Sequence, residues 1–163
     1  MKRIFAVLIA VVMAVMVVPS ASAADYAKLT NVRTGHHPTF DRVVFDLTGP
    51  TPGATVTRIS EPTNCGSGKP ISAPGAEFVE VRLQPADGHS YTGSRNLRPN
   101  LVQVKSVVFT CDFEADLSIA IGVQDANRRV DAYFLDGPLR YVVDVYHTSS
   151  ATVGTENFHD YNN

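Results

Sequence analysis

The sequence is poor in the features that announce enzymes, membrane spans and nucleic-acid binders. It has only two cysteines, Cys65 and Cys111, and no C-x-x-C pair. Beyond Val18 it has no apolar run approaching the roughly 20 residues of a membrane-spanning helix, and helical periodicity is nearly absent. It also lacks a basic excess: without Lys2 and Arg3 it carries 12 basic against 16 acidic side chains, a balance of −4. A nucleic-acid ligand asks for a basic face, and none is visible.

The single apolar run lies at the N-terminus. Lys2 and Arg3 precede Ile4 to Val18, Pro19-Ser20 break the run, and Ala21-Ser22-Ala23 follows. This is the n-region, h-region and small-residue site of a secretory signal peptide, with cleavage expected between Ala23 and Ala24. The reading divides the chain into a signal segment (1–23), a domain (24–148) and a polar tail (149–163). No cysteine follows the apolar run, which argues against a lipid anchor, and no membrane contact is expected after cleavage. About 140 residues remain, enough for one domain with a real core. In an oxidising compartment Cys65 and Cys111 are most simply a disulfide.

Short alternating or β-branched runs fill the remainder. The pattern predicts strands at Ala27–Arg33, Arg42–Leu47, Ala54–Ile59, Phe78–Leu83, Leu101–Thr110, Asp116–Val123, Val130–Leu135 and Arg140–His147. Turn signals separate them, among them the run from Thr48 to Gly53 and Asp136-Gly137-Pro138. In the fourth run, Val79, Val81 and Leu83 alternate with Phe78, Glu80 and Arg82, which predicts one buried and one wet face. Cys65 to Pro74 reads as a loop, and Asp87 to Asn100 as a long, mobile connection. Many short strands at this spacing predict an all-β sandwich or barrel.

One internal echo stands out. Arg42-Val43-Val44-Phe45-Asp46-Leu47 and Arg140-Tyr141-Val142-Val143-Asp144-Val145 share the pattern R-x-V-x-D-apolar. With a period of two, Arg, Val and Asp fall on one face and the intervening apolar residues on the other. Each strand would place an apolar row inward and an Arg-Val-Asp row outward. Their positions near opposite ends of the domain suggest equivalent places in two sheets.

At these residues the sequence resembles the AMIN-like domain of secreted actinobacterial proteins, a relative of the AMIN domains of cell-wall amidases and secretins. The resemblance runs in order through Val32-Arg33-Thr34-Gly35-His36-His37, Phe40 to Asp46, Gly66-Ser67-Gly68-Lys69-Pro70, and Val81 to Ala86 with His89. It continues through Asp112-Phe113-Glu114, Ile121-Gly122 and Pro138 to Val145, covering about Leu29 to His147. It implies a two-sheet β-sandwich of short, mostly antiparallel strands, preceded by the signal-peptide helix. It also implies a role in envelope targeting, in some relatives with peptidoglycan binding. A polar tail stands where the amidases carry a catalytic domain.

Catalytic patterns are weak throughout. His36-His37 is the tempting metal pair, but neighbours in a strand point to opposite faces, and His89, His147 and His159 lie at unrelated spacings. Gly66-Ser67-Gly68 is not a nucleophile elbow, and no helix follows it to cradle a phosphate. Asp112, Glu114 and Asp116 alternate as carboxylates for glycoside hydrolysis would need to, yet acids at strand ends are ordinarily solvated. No catalytic residue, metal or cofactor is therefore expected. What remains is a binding surface at Arg42, Asp46, Arg140 and Asp144, where arginine forks suit the carboxylates of muropeptides or acidic wall polymers. The alternative is that these residues pair with one another across strands. The expected partner is a cell-wall glycan or, in the competing reading, an envelope protein; an unrecognised wall hydrolase is the third.

Overall fold

The computed structural model describes residues 25–149. The signal segment with its Ala23/Ala24 cleavage site, and the polar tail beyond Ser149, lie outside the described residues.

Ten strands form two five-stranded sheets: β1 (Ala27–His36), β2 (Phe40–Thr48), β3 (Gly53–Ile59), β4 (Glu77–Gln84), β5 (Ala86–Asp87), β6 (Asn96–Leu97), β7 (Val104–Phe113), β8 (Asp116–Val123), β9 (Arg128–Leu135) and β10 (Arg140–Ser149). One sheet runs β5-β1-β2-β10-β9 and the other β3-β4-β8-β7-β6. Every pairing is antiparallel except the two-residue contact of β5 with β1. No helix occurs among the described residues. All eight predicted strands are present, most of them longer by a few residues at one or both ends.

Alternation builds the core. Val43, Phe45 and Leu47 of β2 and Tyr141, Val143 and Val145 of β10 face inward. They meet Val79, Val81 and Leu83 of β4 and Leu117, Ile119, Ile121 and Val123 of β8 from the opposing sheet. Side chains of this size each contribute about 1.5–3 kcal/mol when fully buried.

Three expectations need correction. The two R-x-V-x-D strands are not equivalent members of two sheets; β2 and β10 are antiparallel neighbours at the centre of one, with Arg42 opposite Asp144 and Asp46 opposite Arg140. The outer face of β4 is not uniformly wet, because Phe78 is buried with Val108 and Ala120. The segment between β3 and β4 folds back over that face and seats Ile71 and Ala73 on this patch. Gly122 of β8 lies beneath it: a Cβ there would come within 2.2 Å of the Pro74 carbonyl oxygen, so only glycine admits the crossing chain. Finally, the long connection from Asp87 to Asn100 is anchored. It contributes β6, and Tyr91 is buried against Phe109 with its hydroxyl donated to the Ser94 carbonyl.

The Cys65–Cys111 disulfide ties the folded-back segment to β7, beside the hydrogen bond from Cys65 N–H to the Thr110 carbonyl. For a separation of 46 residues, the chain-entropy account assigns the crosslink about 4 kcal/mol. A C65S/C111S variant is therefore expected to lose about 4 kcal/mol in urea unfolding. An unchanged midpoint would mean that the segment holds itself without the bond.

Candidate functional site

Three of the polar constellations among the described residues bear on function. The first is the outer face of the β1-β2-β10-β9 sheet, where the R-x-V-x-D rows stand. Because the rows are antiparallel neighbours, each arginine faces the other strand's aspartate. Arg42 forks onto Asp144, Nε to Oδ1 at 2.7 Å and Nη2 to Oδ2 at 2.8 Å, and Nη2 also donates to the Tyr133 hydroxyl at 2.8 Å. Burial first, and then the hydrogen bond to Asp144, raises the Tyr133 pKa. Asp46 is forked by Arg33 rather than by Arg140, at 2.8 and 2.7 Å. Arg140 donates from Nε to the Pro138 carbonyl at 3.0 Å and acts on Asp46 through its charge. Next to this row, Arg129 pairs with Asp131 and lies 4.4 Å from the Tyr146 ring centroid. Three of the four predicted binding residues thus spend their forks and carboxylates inside the fold.

The second constellation is an open cleft of about 770 Å³ on the outer face of the β3-β4-β8-β7-β6 sheet. The disulfide forms part of its wall, as do Arg82, Arg95, Asp112 and Asp116, with Phe109 and Phe113 supplying apolar surface. Arg82 donates from Nε to Asp116 Oδ1 at 3.0 Å. Arg95 lies 2.7 Å from Asp112 Oδ2 and 4.9 Å from the Phe109 ring centroid. Both guanidinium side chains stay about half exposed, at 51 and 44 %, and Phe113 is 64 % exposed at the rim. Asp112 and Asp116 do line one cleft, but each is engaged by an arginine. Glu114 sits in the β7–β8 turn at φ 50°.

The third lies at the far end of the sandwich. Asp41 is fully buried, and its Oδ1 is 3.0 Å from both His36 Nδ1 and His147 Nε2. Oδ2 accepts the backbone N–H groups of Gln103 and Val104, at 2.5 and 3.0 Å. Burial disfavours the carboxylate more than any other single influence does. The four hydrogen bonds together outweigh it and hold the Asp41 pKa below its ordinary 3.8. His36 therefore has its partner in His147 and not in the adjacent His37, which stacks on Phe40. The signal available in the sequence was parity. Counting by twos from the inward Val43 reaches Asp41, and from the inward Val145 reaches His147.

Fold and surface together define a small disulfide-bonded β-sandwich. The AMIN-like domain description matches residues 27–147, and the chain belongs to that family. Such domains are generally non-catalytic binding modules with a cell-wall-related role. Membership and the disulfide are both consistent with an extracytoplasmic location. No curated protein and no solved structure matches the chain.

Two outcomes are expected. Asp144→Ala removes the partner of a largely buried guanidinium and should cost about 3 kcal/mol in urea unfolding. Arg33→Ala, at an exposed pair, should cost less than about 1 kcal/mol. Acid should also weaken the fold. Asp41, Asp46 and Asp131 all have lowered pKa values, so the unfolded chain takes up protons before the folded one does. Their contribution is full above about pH 4 and is lost as the pH falls through the lower folded values. Urea midpoints measured across this range should fall, and less steeply for Asp41→Asn if that variant folds.

Proposed function

We propose that the protein is a secreted, non-catalytic module of the cell envelope, of the actinobacterial kind, released by cleavage between Ala23 and Ala24. In this reading it binds peptidoglycan or another wall glycan in the cleft beside the disulfide. The observation that carries the proposal is the pairing of half-exposed guanidinium groups with the exposed Phe113 ring at one rim. Sugar rings present apolar C–H faces that suit an aromatic surface, and muropeptide stems and acidic wall polymers present carboxylates that suit arginine. Asp112 and Asp116 hold the two guanidinium groups at the cleft wall. The cleft is open rather than enclosed, as a polymer running through it would require.

Arg140 marks the competing face. It stands on the opposite sheet with the predicted Arg42, Asp46 and Asp144, and of the four it alone is not forked onto a carboxylate. A protein-binding role has support of its own in β3, an edge strand whose residues are exposed except for Ile59. Such an edge can accept a partner's strand.

Co-sedimentation with purified sacculi separates these readings. The native chain is expected to sediment at low salt, with Arg82→Glu and Phe113→Ala each reducing the bound fraction several-fold, and Arg140→Glu leaving it unchanged. Loss only with Arg140→Glu would move the site to the other sheet. No sedimentation at all, with one envelope protein captured instead, would favour the strand-edge reading.

A further inference from the structure

The cluster at the far end of the sandwich is not used by the cleft, and it brings two imidazoles onto one buried carboxylate. We propose that His36, Asp41 and His147 form a binding site for a divalent transition-metal ion of the zinc class. One ligand atom from each of the three residues lies within 4.8 Å of the others, and His36 Nδ1 and His147 Nε2 both face Asp41 Oδ1.

The backbone fixes all three positions. His36 and Asp41 are cross-strand partners in the β1–β2 register. Asp41 pairs with Val145 of β10, and His147 donates its backbone N–H to the Thr39 carbonyl at 3.0 Å. The two imidazole rings stack with 9° between their planes and 5.2 Å between centroids. Their edges therefore address the same carboxylate oxygen. Asp41 cannot swing away, because the backbone N–H groups of Val104, the first residue of β7, and of Gln103 just before it hold its other oxygen. That is the kind of outer-shell support that orients a metal ligand.

Distances and ligand types agree with this assignment. In a tetrahedral site with bonds of about 2.0 Å, ligand atoms stand about 3.3 Å apart. Both nitrogen–oxygen separations are already 3.0 Å, so chiefly the nitrogen–nitrogen gap must close. His36 can close it, being 52 % exposed, while His147 at 17 % and the buried Asp41 form the fixed side. Water can reach a fourth position past His36. Two imidazoles and one carboxylate suit Zn²⁺ and its neighbours, whereas Mg²⁺ and Ca²⁺ require a shell of oxygen atoms that one carboxylate does not supply. Each imidazole binds through the nitrogen facing Asp41, so its proton moves to the other ring nitrogen and no redox step is involved. The ion would join β1, β2 and β10 to the start of β7 through Asp41. The site is independent of the proposed glycan cleft.

The test uses the untagged full chain with its disulfide intact, stripped with a chelator and titrated with Co²⁺. One equivalent should bind with a visible d–d absorption band, be displaced by Zn²⁺ and not by Mg²⁺, and raise the melting temperature. His36→Ala and His147→Ala should each weaken binding by more than about 10-fold, the lower end of what outer-shell losses cost. His37→Ala and His89→Ala should leave it unchanged. Because His36 is half exposed, its variant tests the site even if His147→Ala fails to fold. A band that never saturates would overturn the assignment, as would equal weakening by His37→Ala. The cluster would then be a hydrogen-bonded staple without an ion.

Discussion

The structure depends on one constraint: both faces of the central β2–β10 pair are determined residue by residue, with no freedom to slip. Inward, Val43, Phe45 and Leu47 lie beside Tyr141, Val143 and Val145 in the core. Outward, Arg42 meets Asp144 and Asp46 stands opposite Arg140. A one-residue slip would turn charged residues into the core and apolar rows into water. The ladder therefore specifies register more than it supplies energy, since a buried ion pair recovers little beyond its own desolvation cost. Val44 and Val142, between the charged positions, are nearly buried on the outer face, so the long polar side chains also cover apolar surface.

The same parity explains the Asp41 cluster. An inward row must end where the sandwich opens, and there the next positions on the core side are Asp41 and His147. A buried carboxylate with no partners would be expensive. Here it receives two backbone N–H groups from the start of β7 and the residue before it, and one contact from each of two imidazoles. The arrangement closes the open end of the core with polar groups that are mutually satisfied. It also lets Asp41 tie β2 to the start of β7 at that end.

Much of this was legible in the sequence, and the failures have physical causes. The eight long strands announced themselves by alternation and by the turns between them. The outcome of the R-x-V-x-D echo was not legible, because identical patterns do not reveal whether two strands are neighbours or counterparts. Only the antiparallel register turned two outward rows into reciprocal Arg–Asp pairs. His36 and His147 were missed because spacing along the chain says nothing about strands that meet edge to edge. The cleft was invisible for a related reason. Asp112, Asp116, Arg82 and Arg95 come from three strands and a connection whose glycine, serine and asparagine content read as loose chain, whereas Tyr91 packs it onto Phe109.

The cleft owes its place to the segment between β3 and β4. The β3-β4-β8-β7-β6 sheet has an outer face that is apolar at Phe78, Val108 and Ala120 and charged at Arg82 and Asp116. The segment covers the apolar half, and Gly122 lets it lie close to the sheet. The disulfide stops it at Cys111, short of the charged half. What remains uncovered is bounded by the crosslink on one side and the anchored connection bearing Arg95 on the other. A depression with rigid walls follows from partial coverage of a flat sheet. A surface of this kind loses little conformational entropy when a ligand settles in it. The disulfide therefore both stabilises the fold and sets where the covered surface ends and the open cleft begins.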